Sequence, residues 1–239
     1  MISPRKAVRL KILVVDVGGS HVKCLVSGET TRRKFASGHG LTPQEMVSGV
    51  LAIVSDWNFD VVAVGYPGVV RRGAPALEPH HLAPGWVGFD FEGAFGRPVR
   101  IVNDAAMQAL GSYQGGKMLF LGLGTGLGSA LIVDGHMVAM ELGHLRRSKK
   151  HDYEDLLGER GFNRLGKKKW RHKVCAVVVG FSAALLPDDI VVGGGQADLL
   201  KKLPPRTRRG DNSAAFAGGF RLWDESTPDA SARTYKDLS

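Results

Sequence analysis

The chain has 239 residues, of which 44% are hydrophobic and 23% are charged, with 32 glycines. This composition excludes a wholly disordered chain, a collagen-like repeat and a disulfide-dense scaffold. Lys and Arg outnumber Asp and Glu by 32 to 23, and the net charge of +9 suits either a polyanionic partner (nucleic acid or a phosphate polymer) or solvated basic faces without a partner.

Cysteine usage and the N-terminal segment bear on the compartment. Cys24 and Cys175 lie too far apart for a CxxC-type metal or redox motif, which favours buried apolar fillers in a reducing compartment over a disulfide. The basic start is followed by a short apolar run, residues 12–15, which is too brief for a signal peptide or a membrane span. We therefore expect a soluble, cytoplasmic protein with no membrane partner.

The predicted strands and helices alternate along the chain. Helices are predicted from the capping box Thr42-Pro43-Gln44-Glu45 onward, over 105–113 and 168–186, and from a cap at Asp211 through Trp223. Apolar runs that end at glycine or polar residues predict strands, at 61–64, 99–102, 117–123, 129–133 and 190–192. The polar segment 225–239 is expected to be a disordered tail. This alternation is typical of an α/β protein.

A weak internal repeat relates the two halves of the chain. Residues 14–28 and 121–135 share an apolar strand, a glycine-rich turn with a hydroxyl residue, a second apolar run and a final glycine. The period of about half the chain indicates two related lobes rather than a solenoid.

The two glycine turns are candidate phosphate sites because bare backbone N–H groups can close on phosphate oxygens. A GxxxxGK[ST] sequence is absent, and residues 122–128 resemble a dinucleotide fingerprint but lack its third glycine and lead into a strand. Either turn alone could be a plain hairpin. Both turns together, with the carboxylate of Asp16 before the first, favour a polyphosphate held between two lobes.

Two further pairs could carry chemistry. Asn103-Asp104 follows a strand and opens a helix, so Asp104 is either a helix cap or a carboxylate that accepts a proton from a substrate hydroxyl. Glu141 and His144 could bind vicinal hydroxyls or form a surface pair in a loop. Metal binding by this pair is disfavoured because no third ligand stands at HxxE or HExxH spacing.

Taken in order, these motifs resemble the ROK family of sugar kinases and repressors, and most closely its polyphosphate glucokinase branch. The resemblance covers residues 12–223 and is carried by six segments. They are Asp16-Val-Gly-Gly-Ser20, Gly65-Tyr-Pro-Gly-Val-Val70, Asn103-Asp-Ala105, Gly122 to Gly128, Glu141 to His144, and Val192-Gly-Gly-Gly195.

The resemblance implies an actin-like ATPase fold, with two ribonuclease-H-like lobes around a central cleft. The first lobe would span 10–103 and the second 104–224, with the last helix packing back on the small lobe. Asp16 would position Mg²⁺ and Asp104 would be the general base on the sugar hydroxyl. Residues implied to contact phosphate are Asp16, Gly18, Gly19, Ser20, Lys23, Gly124, Thr125 and Gly126. Residues implied to bind the sugar are Asn103, Asp104, Glu141, His144 and Glu154, and Gly193, Gly194 and Gly195 would line the nucleotide end.

Departures from the family pattern refine these expectations. Arg147 stands where zinc-bearing members have a histidine, and no cysteine cluster follows, so no structural zinc is expected. His81 stands where many members have an asparagine near the sugar, Arg146 where the polyphosphate branch often has an acidic residue, and Gln196 where a smaller residue is common.

The implied reaction transfers a terminal phosphoryl group from polyphosphate, ATP or both to the 6-hydroxyl of a hexose, with glucose expected. The basic segments 167–169 and 206–209 are candidates for a polyphosphate track. A homodimer is possible and no nucleic-acid partner is expected. Two alternatives stay open: a ROK repressor, disfavoured because about ten residues before the first strand leave no room for a helix-turn-helix domain, and a sugar-binding or regulatory protein without catalysis.

Overall fold

The computed structural model describes residues 10–211 and 213–224. The strands are β1 (Ile12–Val17), β2 (His21–Val26), β3 (Arg33–Ala36), β4 (Val61–Tyr66), β5 (Val70–Arg71), β6 (Ala74–Pro75), β7 (Val99–Asn103), β8 (Lys117–Leu123), β9 (Leu127–Val133), β10 (His136–Met140), β11 (Asp189–Gly193) and β12 (Thr207–Arg209). The α-helices are α1 (Pro43–Ile53), α2 (Phe91–Phe95), α3 (Asp104–Ser112), α4 (Glu154–Leu157), α5 (Glu159–Leu185) and α6 (Ala214–Arg221). Short 3₁₀ turns lie at Leu142–His144 and Ala197–Leu199.

Two five-stranded sheets share one strand order. The first runs β3-β2-β1-β4-β7 and the second β10-β9-β8-β11-β12, and β5 and β6 form a separate hairpin. In each large sheet, three antiparallel strands are followed by two parallel ones. The internal repeat predicted from the sequence is therefore present as two sheets of the same topology.

Helices α3 and α6 lie between the two sheets. One face of β1 (Ile12, Val14) and one face of β8 (Met118, Phe120) pack into a core shared with these helices. The opposite faces pack elsewhere: that of β1 against α1 and α2, and that of β8 against α4 and α5. Because the central strands are covered on both faces, their sequences are continuous apolar runs rather than alternating ones.

The contact between α3 and α6 is close enough to require glycine. A Cβ on Gly111 would overlap the backbone of Ala214, and a Cβ on Gly218 would overlap the backbone of Met107. Helix backbones approach this closely only where no side chain separates them. The crossing therefore holds the C-terminal helix against α3, and α6 also packs on β1 and β4 of the first sheet.

The structure adds a helical segment before the predicted long helix. α5 begins at Glu159 but is interrupted at Gly166 (φ 71°), a conformation that residues other than glycine rarely adopt, and its part after this break agrees with the helix predicted over 168–186. Asp211 supplies the predicted capping bond before the last helix: its carboxylate accepts a hydrogen bond from the Ser213 N–H at 2.6 Å, whereas Ser213, which directly precedes α6, makes no side-chain capping bond. The predicted tail, 225–239, lies outside the described residues.

Both cysteines are free, and burial raises the pKa of Cys24 to about 12. Among the described residues, no helix has the length and apolar character that crossing a bilayer requires.

Candidate active site

The carboxyl ends of the parallel strands in the first sheet meet at the start of α3. The register aligns Asp16 on β1 with Gly65 on β4, and Gly65 with Val102 on β7. Asp16 belongs to the same face of β1 as Val14, which packs toward α3. A Cβ on Gly65 would overlap Met107 Cε and lie 3.6 Å from the Cα of Asp104, so the first turn of α3 lies directly against this strand and glycine leaves room for the Met107 side chain. Asp16 and Asp104 are thus brought to one place.

Asp104 carries a strongly perturbed carboxyl group. Burial, and then the negative charge of Asp16, raise its pKa from 3.8 to about 7. A hydrogen bond from the Ala105 N–H to Oδ1, at 2.7 Å, acts in the opposite direction, and the charge of Glu141 adds a further upward contribution. A carboxyl that titrates near neutrality can exchange a proton with a substrate hydroxyl, as a general base must.

The helix cap is supplied by Asn103 rather than Asp104. Asn103 Oδ1 accepts hydrogen bonds from the Ala105 and Ala106 N–H groups at 2.9 and 3.2 Å, and its Nδ2 donates to the Gly68 carbonyl at 3.0 Å. Asn103 therefore links α3 to the Gly65–Gly68 loop, and the cap of α3 does not use the Asp104 carboxylate. The interpretation of Asp104 as the helix cap is wrong.

The first glycine turn joins β1 to β2. The Gly18 N–H donates to the His21 carbonyl at 3.0 Å, and Gly19 and Ser20 are exposed. Lys23 is the cross-strand neighbour of Asp16, with Nζ 3.4 Å from Oδ2. The loop after β6 reaches this turn, since a Cβ on Gly19 would lie 3.5 Å from His81 Cβ.

The second glycine turn joins β8 to β9 and also contacts α3. A Cβ on Gly128 would lie 2.6 Å from Ala105 Cβ, directly after Asp104 in the chain. The turn is braced from outside by the α4–α5 junction: the Glu159 N–H donates to the Thr125 carbonyl at 3.1 Å, and Glu154 Oε2 accepts from the Leu127 N–H at 3.4 Å. The exposed Thr125 and half-buried Gly124 and Gly126 form its outer part.

Glu141 and His144 form a pair on the segment that follows β10. His144 Nε2 lies 3.7 Å from Glu141 Oε2, and both side chains are about half exposed. Burial raises the pKa of Glu141, His144 lowers it, and the charge of Glu154 raises it again. The electrostatic coupling of Glu141 to both Asp104 and Glu154 places three carboxylates implied in sugar binding around one region.

The third glycine segment ends β11 beside the second turn. Gly194 has φ 83°, and a Cβ there would overlap the backbone of Leu123. The Gln196 N–H donates to the Leu123 carbonyl at 3.0 Å. The structure therefore brings Gly193–Gly195 alongside the strand that leads into the second turn.

Two residues that position the site were missed by sequence reasoning. Buried Ser129 accepts a hydrogen bond from the Leu142 N–H at 3.0 Å and donates to the Met140 carbonyl at 2.9 Å, which fixes the segment that carries Glu141. Glu78 accepts hydrogen bonds from the N–H groups of Gly85, Trp86 and Val87 at 3.0, 3.0 and 3.2 Å, which orders the loop that carries His81. The only sign of Ser129 in the sequence was a hydroxyl residue inside an apolar strand. No sequence pattern indicated the role of Glu78.

Comparisons with known proteins bear on the family and the fold. Residues 12–155 match the model of the ROK family. A polyphosphate glucokinase of Mycobacterium tuberculosis is 28% identical over 212 residues, which cover 80% of each chain.

Solved structures share the fold at low identity. An inorganic polyphosphate/ATP-glucomannokinase from Arthrobacter sp. strain KM superposes with a TM-score of 0.76 and 24% identity over 89% of this chain and 97% of that one. A ROK family glucokinase from Streptomyces griseus, in complex with glucose and AMPPNP, gives a TM-score of 0.73 with 19% identity over 89% and 98% of the two chains. The family model covers more than half of the sequence, and the chain therefore belongs to the ROK family, with the actin-like ATPase fold of its sugar kinases.

Proposed function

We propose that this chain is a hexokinase-type sugar kinase that transfers a terminal phosphoryl group to the 6-hydroxyl of a hexose, with glucose as the first candidate. The observation that carries the proposal is Asp104. Its carboxyl stands at the first residue of α3, between the ends of two sheets that each bear a glycine turn, and its pKa is raised to about 7. The named kinases among its relatives, which include enzymes for glucose and N-acetyl-D-glucosamine, support the reaction class.

In this mechanism, Asp104 accepts the proton of the sugar hydroxyl as that oxygen attacks the terminal phosphorus. The backbone N–H groups at Gly18–Ser20 and Gly124–Gly126 bind the donor phosphates from two sides. Asn103, Glu141, His144 and Glu154 hold the sugar hydroxyls, and Gly193–Gly195 line the base of a nucleotide donor. With lobes at 10–103 and 104–224, closure around the substrates would exclude water and limit hydrolysis.

A divalent cation fits beside Asp16. Magnesium is commonly bound through one or two carboxylates together with water and substrate phosphates, rather than by a full protein cage. The negative charge of Asp16 already acts on Asp104, and a cation held by Asp16 would relieve that repulsion. Bound there, Mg²⁺ would neutralise charge on the donor phosphates. No group of three His, Cys, Asp or Glu side chains suited to a metal occurs in the part of the chain that the structure describes.

The donor is proposed to be polyphosphate, ATP or both. Polyphosphate is favoured by the net charge of +9 and by the polyphosphate glucokinases among the relatives. ATP is favoured by the retained glycines 193–195. Arg208 and Arg209 are poor candidates for a polyphosphate track, because Arg208 Nε donates to Asp189 Oδ2 at 2.8 Å and the Arg209 guanidinium donates to the Leu200 carbonyl.

The test is an assay for glucose 6-phosphate with Mg²⁺, run in parallel with ATP and with long-chain polyphosphate. Product with either donor supports the kinase, and the donor that gives product is identified at once. If neither donor gives product with glucose, mannose or N-acetylglucosamine, the kinase proposal fails. Glucose binding without turnover would then favour the second candidate, a sugar-binding protein of the family.

A further inference from the structure

The largest concentration of positive charge lies outside the proposed catalytic centre. Residues 146–173 contain eleven Lys or Arg and four Asp or Glu, a net charge of +7 against +9 for the whole chain. They include the basic loop, residues 146–150, and five exposed side chains on α5 that we name the α5 ridge. The α5 ridge consists of Arg160, Arg164, Lys167, Lys168 and Lys169.

The α5 ridge begins beside the second glycine turn. Arg160 Nη2 lies 3.7 Å from Glu154 Oε1, and the other oxygen of Glu154 accepts the hydrogen bond from Leu127, the residue after Gly126. One carboxylate therefore separates Arg160 from the turn proposed to hold the donor phosphates. A polymer that leaves this turn toward α4 meets Arg160 first.

The basic loop joins the α5 ridge through Asp155. Asp155 Oδ1 lies 3.6 Å from Arg160 Nη1, and Oδ2 lies 3.6 Å from His151 Nδ1. The His151 carbonyl in turn accepts hydrogen bonds from the N–H groups of Arg147 and Ser148, both at 3.0 Å. The basic loop and the Arg160 end of the α5 ridge are thus linked through Asp155.

The guanidinium of Arg160 is available to an incoming anion. Its side chain is 73% exposed, and its contacts with Glu154 and Asp155 are longer than 3.5 Å. Exposed ion pairs of this kind contribute little free energy, so phosphate groups can replace the carboxylates.

The aromatic side chains of this region face the core. Tyr153 packs edge-on against Phe181 with ring centroids 5.1 Å apart, and Phe162 packs against the fully buried Trp170 at 5.4 Å. Proteins that bind single-stranded nucleic acid combine a basic groove with exposed rings on which bases stack. Between residues 146 and 173 no Phe, Tyr or Trp side chain is exposed, and the exposed rings are the small imidazoles of His151 and His172. This surface fits a polymer of phosphate without bases better than a nucleic acid.

We propose that the distal phosphates of a polyphosphate chain bind along the α5 ridge while its reactive end lies at the second glycine turn. The position of the reactive end rests on the proposed function, whereas binding to the ridge requires no turnover. Arg160 and the lysines are binding residues here and have no part in the chemistry.

The test compares the double variant Arg160→Gln/Lys168→Gln with a control of equal charge, Lys11→Gln/Arg97→Gln. Lys11 and Arg97 precede the amino ends of β1 and β7, whereas Asp16 and Asn103 lie at the carboxyl ends of these strands, so the control charges lie at the edge of the sheet away from the candidate site. Affinity is measured by calorimetry at several salt concentrations for long-chain polyphosphate, for tripolyphosphate and for a single-stranded oligonucleotide. The ridge variant should lose about tenfold in affinity for the long chain. The slope of the logarithm of its binding constant against the logarithm of the salt concentration should become shallower by roughly one unit for each charge removed. The control should bind as the unaltered protein does, and affinity for tripolyphosphate should be the same in all three proteins.

Several results would overturn the proposal: no binding of long polyphosphate by the unaltered protein, equal losses in the ridge and control variants, or equally tight binding of the oligonucleotide. A further outcome is polyphosphate binding that is weakened in the ridge variant and yet gives no glucose 6-phosphate. That result would support the ridge as a binding surface and reject polyphosphate as the phosphoryl donor. Lys167→Gln/Lys169→Gln is a second ridge variant that keeps the contacts of Arg160, and it should show the same direction of change.

Discussion

Asp104 is the residue on which the proposed chemistry depends, and its replacement separates proton transfer from binding. Asp104→Asn keeps an oxygen that can accept the Ala105 N–H but removes the base, so we expect kcat to fall by about 10²–10⁴-fold. Glucose affinity, measured by calorimetry, should change by less than a few fold. The control is Asp134→Asn, an exposed turn residue with φ 49° that asparagine tolerates, which should keep full activity. Equal rates in the two variants would remove Asp104 from the mechanism.

The same carboxyl makes stability depend on pH. The folded-state pKa of Asp104, about 7, lies above the ordinary value of 3.8, so the folded state binds this proton more tightly than the unfolded chain does. Protonation of Asp104 therefore contributes favourably to the free energy of unfolding below pH 4, and this contribution is lost as the pH rises to about 7. Asp104→Asn should therefore raise the melting temperature by several degrees at pH 8 and leave it nearly unchanged at pH 4. A variant less stable than the parent at pH 8 would contradict the cost assigned to this charge.

Ser129 offers a test of positioning rather than chemistry. Ser129→Ala removes the acceptor of the Leu142 N–H, and Glu141 should lose its fixed orientation. We expect the KM for the sugar to rise about three- to tenfold while kcat and the KM for the donor change little. Equal changes in both KM values would indicate a general loss of structure instead.

At the scale of elements, the α3–α6 crossing should tolerate no side chain. Gly218→Ala places a methyl group against the Met107 backbone, which cannot move aside as a flexible side chain can, and should cost about 1–3 kcal/mol or more. Gly180→Ala on α5 is the matched control. Nothing lies within 4 Å of a Cβ at Gly180, and alanine there should stabilise the protein by about 0.5–1 kcal/mol. The free energy of unfolding in urea measures both.

The elements themselves were largely predictable because their signals are local. The doubly covered strands are continuous apolar runs, and the capping box at Thr42 is formed as the sequence predicted. The sequence was less informative where a distant partner decides. The pairing of Arg208 with Asp189 follows from the register of β11 and β12, and no local pattern in 206–209 distinguishes such an arginine from an exposed one. Identifying Asn103 rather than Asp104 as the helix cap required knowing the position of Gly68, whose carbonyl accepts a hydrogen bond from the Asn103 side chain.

For the whole molecule, the resemblance implies Mg²⁺ for the reaction and no zinc for the fold. Dialysis against EDTA should abolish kinase activity and leave the melting temperature within about 1 °C, since no three-residue metal cluster occurs among the described residues. Added Mg²⁺ should restore activity fully. A large drop in melting temperature on chelation would reveal a structural metal.

The position of α6 has a consequence for how the chain is made. Phe216 and Leu222 cover the side of the first sheet that carries Ile12 and Val14. During synthesis the ribosome delivers this sheet early, and α3, which packs on β4 and β7, follows soon after it. The part of the cover that α6 supplies over β1 arrives only some two hundred residues after β1. The nascent N-terminal half therefore keeps part of this apolar face exposed, which makes it a substrate suited to chaperones, and it completes its fold only when the last helix emerges.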